Sequence, residues 1–365
     1  VARSPTDLTT RSFERILLIK PSSLGDVVHA LPVLHGLRRR YPEARIDWLI
    51  APPFASLIEH HPDLNNVVVF DRRRFGRIGR SWAATREFLH FLAHLRRARY
   101  DLVIDLQGLF RSGFMSWASR AQMRIGFREA RECAWVFYNQ YIPALGENAH
   151  AVDRNYQAAR ILGFADVPVG FELAIGEAVR QEADGLLEQA RQSADRPLIT
   201  LAPGARWETK RWPVDKFAQL INSIQSSLDT DWVLIGSPDE ADIGDRIARS
   251  CEAPPTNLIG GTTLPQMVAI VARSQVIICH DSAVMHVAVA LRKPLVCLTG
   301  PTNPRRTGPY QRPEDVIMLE IECSPCRYRR LTQCPHGHRC MEDLSADTVV
   351  DAVRRRLKSA TNPGT

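Results

Sequence analysis

The feature that most constrains this chain is a rhythm. Short β-branched, apolar runs alternate with longer amphipathic stretches, as "RILLIK", "ARIDWLI", "NVVVF" and "YDLVIDL" in the first half, then "RPLITLAPG", "DWVLIGS", "SQVIICHDS" and "KPLVCLTGP" in the second. Strands buried on both faces and separated by helices form parallel sheets, so each half reads as a Rossmann-type α/β unit. A length of 365 residues allows each half its own core. The expected layout is a tail over 1–12, a first domain over 13–170, a second over 171–340 and a terminal segment over 341–365. In that segment "SADTVVDAVRRRLKSA" is an amphipathic helix capped by Ser345, and "TNPGT" is frayed. The boundary falls at "ADVPVGFELAIG", after a helix over "HAVDRNYQAARILGF" that Gly163 ends.

The longest apolar runs fall short of a bilayer span, and the start of the sequence has no apolar stretch of signal-peptide length. A cytoplasmic location is expected. A formal charge of +7 points to anionic partners without choosing among nucleic acid, acidic lipid and phosphorylated sugar. Of the eight cysteines, Cys323, Cys326, Cys334 and Cys340 follow C-x2-C-x7-C-x5-C, which suits structural zinc and a packed reduced loop about equally. Their separation in sequence from the other motifs argues against a part in catalysis.

In doubly wound sheets ligands lie beyond the carboxyl ends of the strands. Asp26 in "IKPSSLGDVVHALP" stands there, and two roles fit: a helix cap, or a carboxylate that takes a proton from a bound hydroxyl. A helix start stabilises the anion and weakens the base. That is tolerable where proton removal lags behind departure of a leaving group. Ser23 and Gly25 let the loop approach a ligand or make a plain tight turn, and Pro32 is expected to kink the helix. Lys210 in "LAPGARWETKRWP" is either solvated or set to neutralise an anionic leaving group. Asp281 and Ser282 sit between a strand and an apolar helix, where backbone N–H groups hold diphosphates. His286, one turn on, is either a ligand contact or a core histidine. Gly300 and Thr302 in "GPTNP" end the next strand on the same side, and Glu240 is preferred over Asp239 for ribose hydroxyls, with a charge at a helix start as the competing role. Arg72 and Arg73 open the basic run "RRRFGRIGR", suited to anionic groups. Asp229-Thr230-Asp231 precedes its strand and reads as a surface turn rather than a metal site. Neither G-x-G-x-x-G nor a P-loop occurs, which weakens dinucleotide and nucleotide-hydrolase readings.

Taken in order, "RILLIKPSSLGDVVHALPVLHGLRRRYP", "DLQGLFRS", "IGF" followed by Glu129 or Glu132 and Tyr138, "HAVDRNYQAARILG", "PGARWETKRWP" and "HDSAVMHVAVALRKPLVCLTGPT" resemble the ADP-heptose:lipopolysaccharide heptosyltransferases of glycosyltransferase family 9. The resemblance implies a GT-B fold, two Rossmann-like domains whose parallel sheets face a central cleft. It implies inverting transfer without a required metal or other cofactor, ADP-heptose as donor and the Kdo or heptose of the inner core as acceptor. It maps the general base onto Asp26, a phosphate or sugar contact onto Lys210, and donor contacts onto Asp281 and His286. With them go Arg206, Glu240, Ser282, Gly300 and Thr302 on the donor side, and Ser23, Gly25, Arg72, Arg73, Gln107 and Arg111 on the acceptor side. Ala283 stands where the family pattern has glycine, and Ala205 and Arg206 where some members have hydroxyls. The implied partner is an anionic glycolipid met by peripheral membrane contact, not nucleic acid. Two rivals remain: a GT-B enzyme with another nucleotide sugar or a protein acceptor, and a non-catalytic basic module for nucleic acid or anionic lipid.

Overall fold

The computed structural model describes residues 7–191, 193 and 195–361, and the chain divides after Ala174 into two units. In the first, strands β1 (Arg15–Ile19), β2 (Arg45–Ile50), β3 (Asn66–Val69), β4 (Leu102–Asp105), β5 (Met123–Phe127) and β6 (Gln140–Ile142) alternate with helices. These are α1 (Leu24–Val28), α2 (Leu31–Arg40), α3 (Pro52–Ile58), α4 (Arg72–Phe75), α5 (Trp82–Arg97), α6 (Phe110–Ala118), α7 (Ala151–Tyr156) and α8 (Ala158–Leu162). All pairings are parallel, in the order β3-β2-β1-β4-β5-β6. Residues 16–19 of β1 are fully buried because helices cover both faces, which is why this run is continuously apolar rather than alternating.

The second unit carries β7 (Leu198–Ala202), β8 (Asp231–Leu234), β9 (Thr256–Asn257), β10 (Val276–His280), β11 (Leu295–Leu298) and β12 (Val316–Ile317). Its helices are α9 (Glu177–Ala190), α10 (Val214–Gln225), α11 (Ala241–Ser250), α12 (Leu264–Arg273), α13 (Ala283–Ala290), α14 (Pro304–Thr307), α15 (Arg339–Glu342) and α16 (Ala346–Thr361). The sheet order, β12-β11-β10-β7-β8-β9, is the first unit's order rewritten for its own strands. In each sheet the first strand lies beside the fourth. That is where the winding reverses and loops splay to admit a ligand.

Several expectations need correction. The tail is shorter than 1–12: Leu8 is buried and Arg40 Nη2 donates to Thr9 O, while residues 1–6 lie outside the described ones. The helix expected through Pro32 is two helices, because α1 ends at Val28 and Pro32 occupies the first turn of α2, where its missing N–H costs nothing. The helix before Gly163 is likewise split at Gln157, and Gly163 closes α8 at φ 76°. Asp231 is not a turn residue: it opens β8, buried, with Arg191 at 3.6 Å. Ser345 Oγ does accept from Thr348 N at the start of α16, and the frayed end expected over "TNPGT" lies outside the described residues from 362 on.

Candidate active site

In the first unit the reversal point lies between β1 and β4. The loop after β1 carries Ser23 and Gly25, with Asp26 in the first turn of α1. Asp26 is not the cap itself. Ser23 holds the cap position, and both its N–H (2.9 Å) and its hydroxyl (2.8 Å) donate to Asp26 Oδ2. Behind it stands Lys20, a buried residue that sequence reasoning passed over. Its ammonium donates to Leu106 O at 2.9 Å and lies 3.6 Å from Asp26 Oδ1. Asp26 keeps 44% of its side chain exposed, so it is tethered yet reachable.

The neighbouring loop is shaped by Asp105, the last residue of β4, which is fully buried and paired in register with Ile19. Asp105 Oδ1 accepts from the N–H groups of Gln107 and Gly108, and Oδ2 from Tyr138 Oη at 2.6 Å. Burial pushes its carboxyl up, against the pull of those donors. The result is a fixed "DLQG" turn that presents Gln107, whose Oε1 is buried without a partner among the described residues, and leads to the exposed Arg111. Arg72 and Arg73, both exposed, follow β3 on the same sheet edge, with Asp71 capping their short helix. The acceptor-side residues therefore gather at the carboxyl ends of β1, β3 and β4.

In the second unit the reversal point lies between β7 and β10. Lys210, in the loop after β7, donates at 2.9 Å to both the carbonyl and Oδ2 of Asp281, just past β10. Its ammonium also rests 4.7 Å from the Trp207 ring centre. Thr302 Oγ1 (2.6 Å) and Thr307 Oγ1 (3.3 Å) donate to the same Oδ2. Burial would raise the Asp281 pKa, but Lys210, Thr302 and the nearby His286 outweigh it and hold the carboxyl below its ordinary value. Asp281 is thus a buried anion around which three loops are assembled. Ser282 occupies the N-cap position of α13, and its Oγ is buried without a hydrogen-bond partner among the described residues. Glu240 accepts from Ser237 N and lies over two glycines: a Cβ on Gly204 would stand 2.0 Å from its carboxyl carbon. Glu240 therefore reaches the end of β7, while Asp239 is exposed. Arg206 is also exposed. Gly300 serves packing, since a Cβ there would meet Met341 Sδ at 2.7 Å and Cys340 Sγ at 2.8 Å.

Another residue missed in the sequence is His280, at the end of β10. Its Nε2 accepts from Trp212 N at 2.9 Å, which leaves Nδ1 to donate to Gly204 O at 3.3 Å. One neutral ring therefore ties both ends of the Lys210 loop to the central strand. Burial lowers its pKa to about 4, so it stays neutral in this role. The pattern "ICHDS" was the available signal, but a histidine in an apolar run reads as a core residue.

The cysteine segment is not remote from this site, contrary to the expectation. His338 Nε2 bonds Thr209 O at 2.6 Å, Arg327 N donates to Pro301 O at 2.8 Å, and the Arg329 guanidinium lies 4.9 Å from the Trp207 ring centre. The segment is the outer wall of the Lys210 loop. All four cysteines are free thiols, and burial, then the nearby Cys326, Cys334 and Cys323, push Cys340 up to about 11. They do not fit a zinc site as they stand, since no three of the Sγ atoms come within 4.8 Å of one another. Among the described residues, only His35, Asp63 and Glu172 bring ligand-type atoms that close, and there His35 Nδ1 is engaged by Asp63 Oδ2 at 3.3 Å.

Residues 88–335, more than half of the chain, match glycosyltransferase family 9 (heptosyltransferase). The chain belongs to this family. Lipopolysaccharide heptosyltransferase 1 of Pseudomonas aeruginosa is 30% identical over 88% of both chains. The solved ADP-heptose lipopolysaccharide heptosyltransferase II of Escherichia coli is 26% identical with a TM-score of 0.75, covering 95% of this chain and 99% of that one. A family 9 glycosyltransferase from Veillonella parvula superposes at a TM-score of 0.81, covering 97% and 99%, and at 23% identity it attests the fold. The architecture is GT-B, two Rossmann-like domains, and the family 9 member described here is a glycosyltransferase.

Proposed function

We infer that this protein transfers a heptose from ADP-heptose to the inner core of lipopolysaccharide, with inversion at the anomeric carbon. One observation carries the reading: the reversal point of one sheet holds a reachable carboxylate, and that of the other holds a lysine and a helix start. These are the proton acceptor and the diphosphate stabiliser that such a reaction needs. The family supports it, as do relatives named for lipopolysaccharide heptose transfer and the solved E. coli heptosyltransferase WaaC with ADP, 25% identical to this chain.

Asp26 accepts the proton of the acceptor hydroxyl as its oxygen attacks the anomeric carbon from the face opposite ADP. The new glycosidic C–O bond forms as the bond to the diphosphate breaks. Lys20 and Ser23 hold the Asp26 carboxylate in place and aimed. Lys210 uses two of its N–H donors on Asp281 and turns the third to the departing diphosphate. Arg206, the N–H groups that open α13 and the Ser282 hydroxyl add to that stabilisation, the kind of preorganised electrostatics commonly worth about 3 kcal/mol per donor. Asp281 and His286 hold the cradle, Glu240 takes the ribose hydroxyls, and Gly300 and Thr302 shape the wall behind them. Ser23, Gly25, Gln107 and Arg111 seat the acceptor sugar, and Arg72 and Arg73 meet its anionic groups. The acceptor is lipid-borne. Contact with the lipid surface is taken to be peripheral, and among the described residues no helix is long and apolar enough to cross a membrane.

The test is a donor panel. Product formation is followed by mass spectrometry with Kdo-bearing and heptose-bearing lipid A acceptors and ADP-, UDP- and GDP-linked sugars. ADP-heptose should give the largest turnover; faster transfer from another nucleotide sugar overturns the assignment.

A further inference from the structure

The first domain contains an apolar cavity whose lining includes two of the proposed acceptor-side arginines, Arg72 and Arg111. It measures about 240 Å³ and is lined by Phe75, Phe88, Phe110 and Phe114, with Arg72 and Arg111 at its border. The rings form one continuous cluster: Phe75 and Phe88 centroids are 5.4 Å apart, and those of Phe88 and Phe114 6.4 Å. Of the large hydrophobic side chains exposed among the described residues, eight of eleven lie between Val69 and Val136, all in the first unit, and two of them, Ile78 and Phe110, line the cavity itself. Trp82 is 82% exposed and Leu89, seven residues on and so on the same face of α5, 58%.

The same surface is strongly basic. From Asp71 to His90 there are six arginines and two acids. Both acids are occupied internally, Asp71 as a helix cap and Glu87 by Arg74. Arg72, Arg73, Arg77, Arg80 and Arg86 are exposed. Exposed tryptophan beside arginine suits the interface between headgroups and acyl chains, where one end of the ring is wet and the other apolar. The lining is almost wholly apolar, so the polar edge of a base placed inside would go unsatisfied, which favours hydrocarbon over nucleic acid as the occupant. The guanidinium groups at its border suit a headgroup phosphate.

We propose that this face seats the first domain on an anionic bilayer and that the phenylalanine cavity takes an acyl chain of an anionic lipid. The proposal rests on the reading of the acceptor as lipid-borne, and its test needs neither donor nor acceptor sugar. In flotation assays the full-length protein should bind vesicles of phosphatidylglycerol and phosphatidylcholine at least tenfold better than vesicles of phosphatidylcholine alone. The double variant Trp82→Ser, Leu89→Ser, which alters only exposed side chains, should lose at least tenfold of that binding. Monomeric lysophosphatidylglycerol should bind saturably by calorimetry, and Phe88→Trp, which fills the cavity, should abolish this while Phe88→Leu retains it. Equal binding to both vesicle types, an unaffected double variant, or lysolipid binding indifferent to Phe88→Trp with its unfolding midpoint unchanged overturns the proposal. Vesicle binding without heptose transfer would refute the function and leave this inference standing. Transfer to a deacylated acceptor by a protein that ignores vesicles would do the reverse.

Discussion

Lys210 and Asp281 form the tightest charged contact of the site, with 14% and 6% of their side chains exposed. Removing one partner of such a pair leaves a buried charge uncompensated, which costs about 3–5 kcal/mol. Lys210→Ala should lose stability of that order in urea unfolding, and Lys210→Ala with Asp281→Asn should recover most of it; equal losses in the single and double variants would show that the pair is not coupled. Because the folded pKa of Asp281 lies below its ordinary 3.8, its contribution is present above that value and disappears as pH falls through the lowered one. At this scale the sequence was informative about Asp26, Lys210, Asp281 and Ser282, which follow strand ends. It was silent about Lys20, Asp105 and His280. Their partners lie at separations of 86 residues for Lys20 and Leu106, 33 for Asp105 and Tyr138 and 76 for His280 and Gly204, and no local pattern encodes such a pairing.

At the scale of elements, the loop between β7 and α10 has no regular structure of its own beyond one turn at Glu208–Lys210, so its shape depends on what grips it. His280 grips both ends from β10, and the cysteine segment covers the outside. His280 has a folded pKa of about 4 against an ordinary 6.5, so below 6.5 the unfolded chain takes up a proton that the native ring does not. Stability from this residue is therefore full above pH 6.5 and declines toward pH 4, by roughly 2 kcal/mol between pH 7 and pH 5. Urea midpoints at those two pH values should converge in His280→Gln; an unchanged slope in that variant would contradict the neutral-ring assignment. The elements themselves were legible because buried parallel strands are apolar without interruption and Gly163 marks a helix end. The break before Pro32 was not, since a proline fits equally a kink within one helix and the first turn of a second.

For the whole molecule, the repeated strand order means that one topological rule places both halves of the chemistry. Each sheet has its own core, around Leu17, Ile19 and Val103 in the first unit and around Ile199, Leu201 and Ile278 in the second. Residues 175–365 expressed alone should unfold cooperatively and bind ADP by calorimetry, and a molten product that ignores ADP would contradict the independence of that core. The proposed reaction turns on Asp26 removing the acceptor proton. It is tested most directly by the initial rate of heptose transfer from ADP-heptose to a Kdo-bearing lipid A acceptor in wild type and Asp26→Asn, with ADP affinity and the unfolding midpoint measured alongside. With Asp26 as the base, kcat should fall by at least about 100-fold with both controls unchanged; a rate within about threefold of wild type would remove Asp26 from that role.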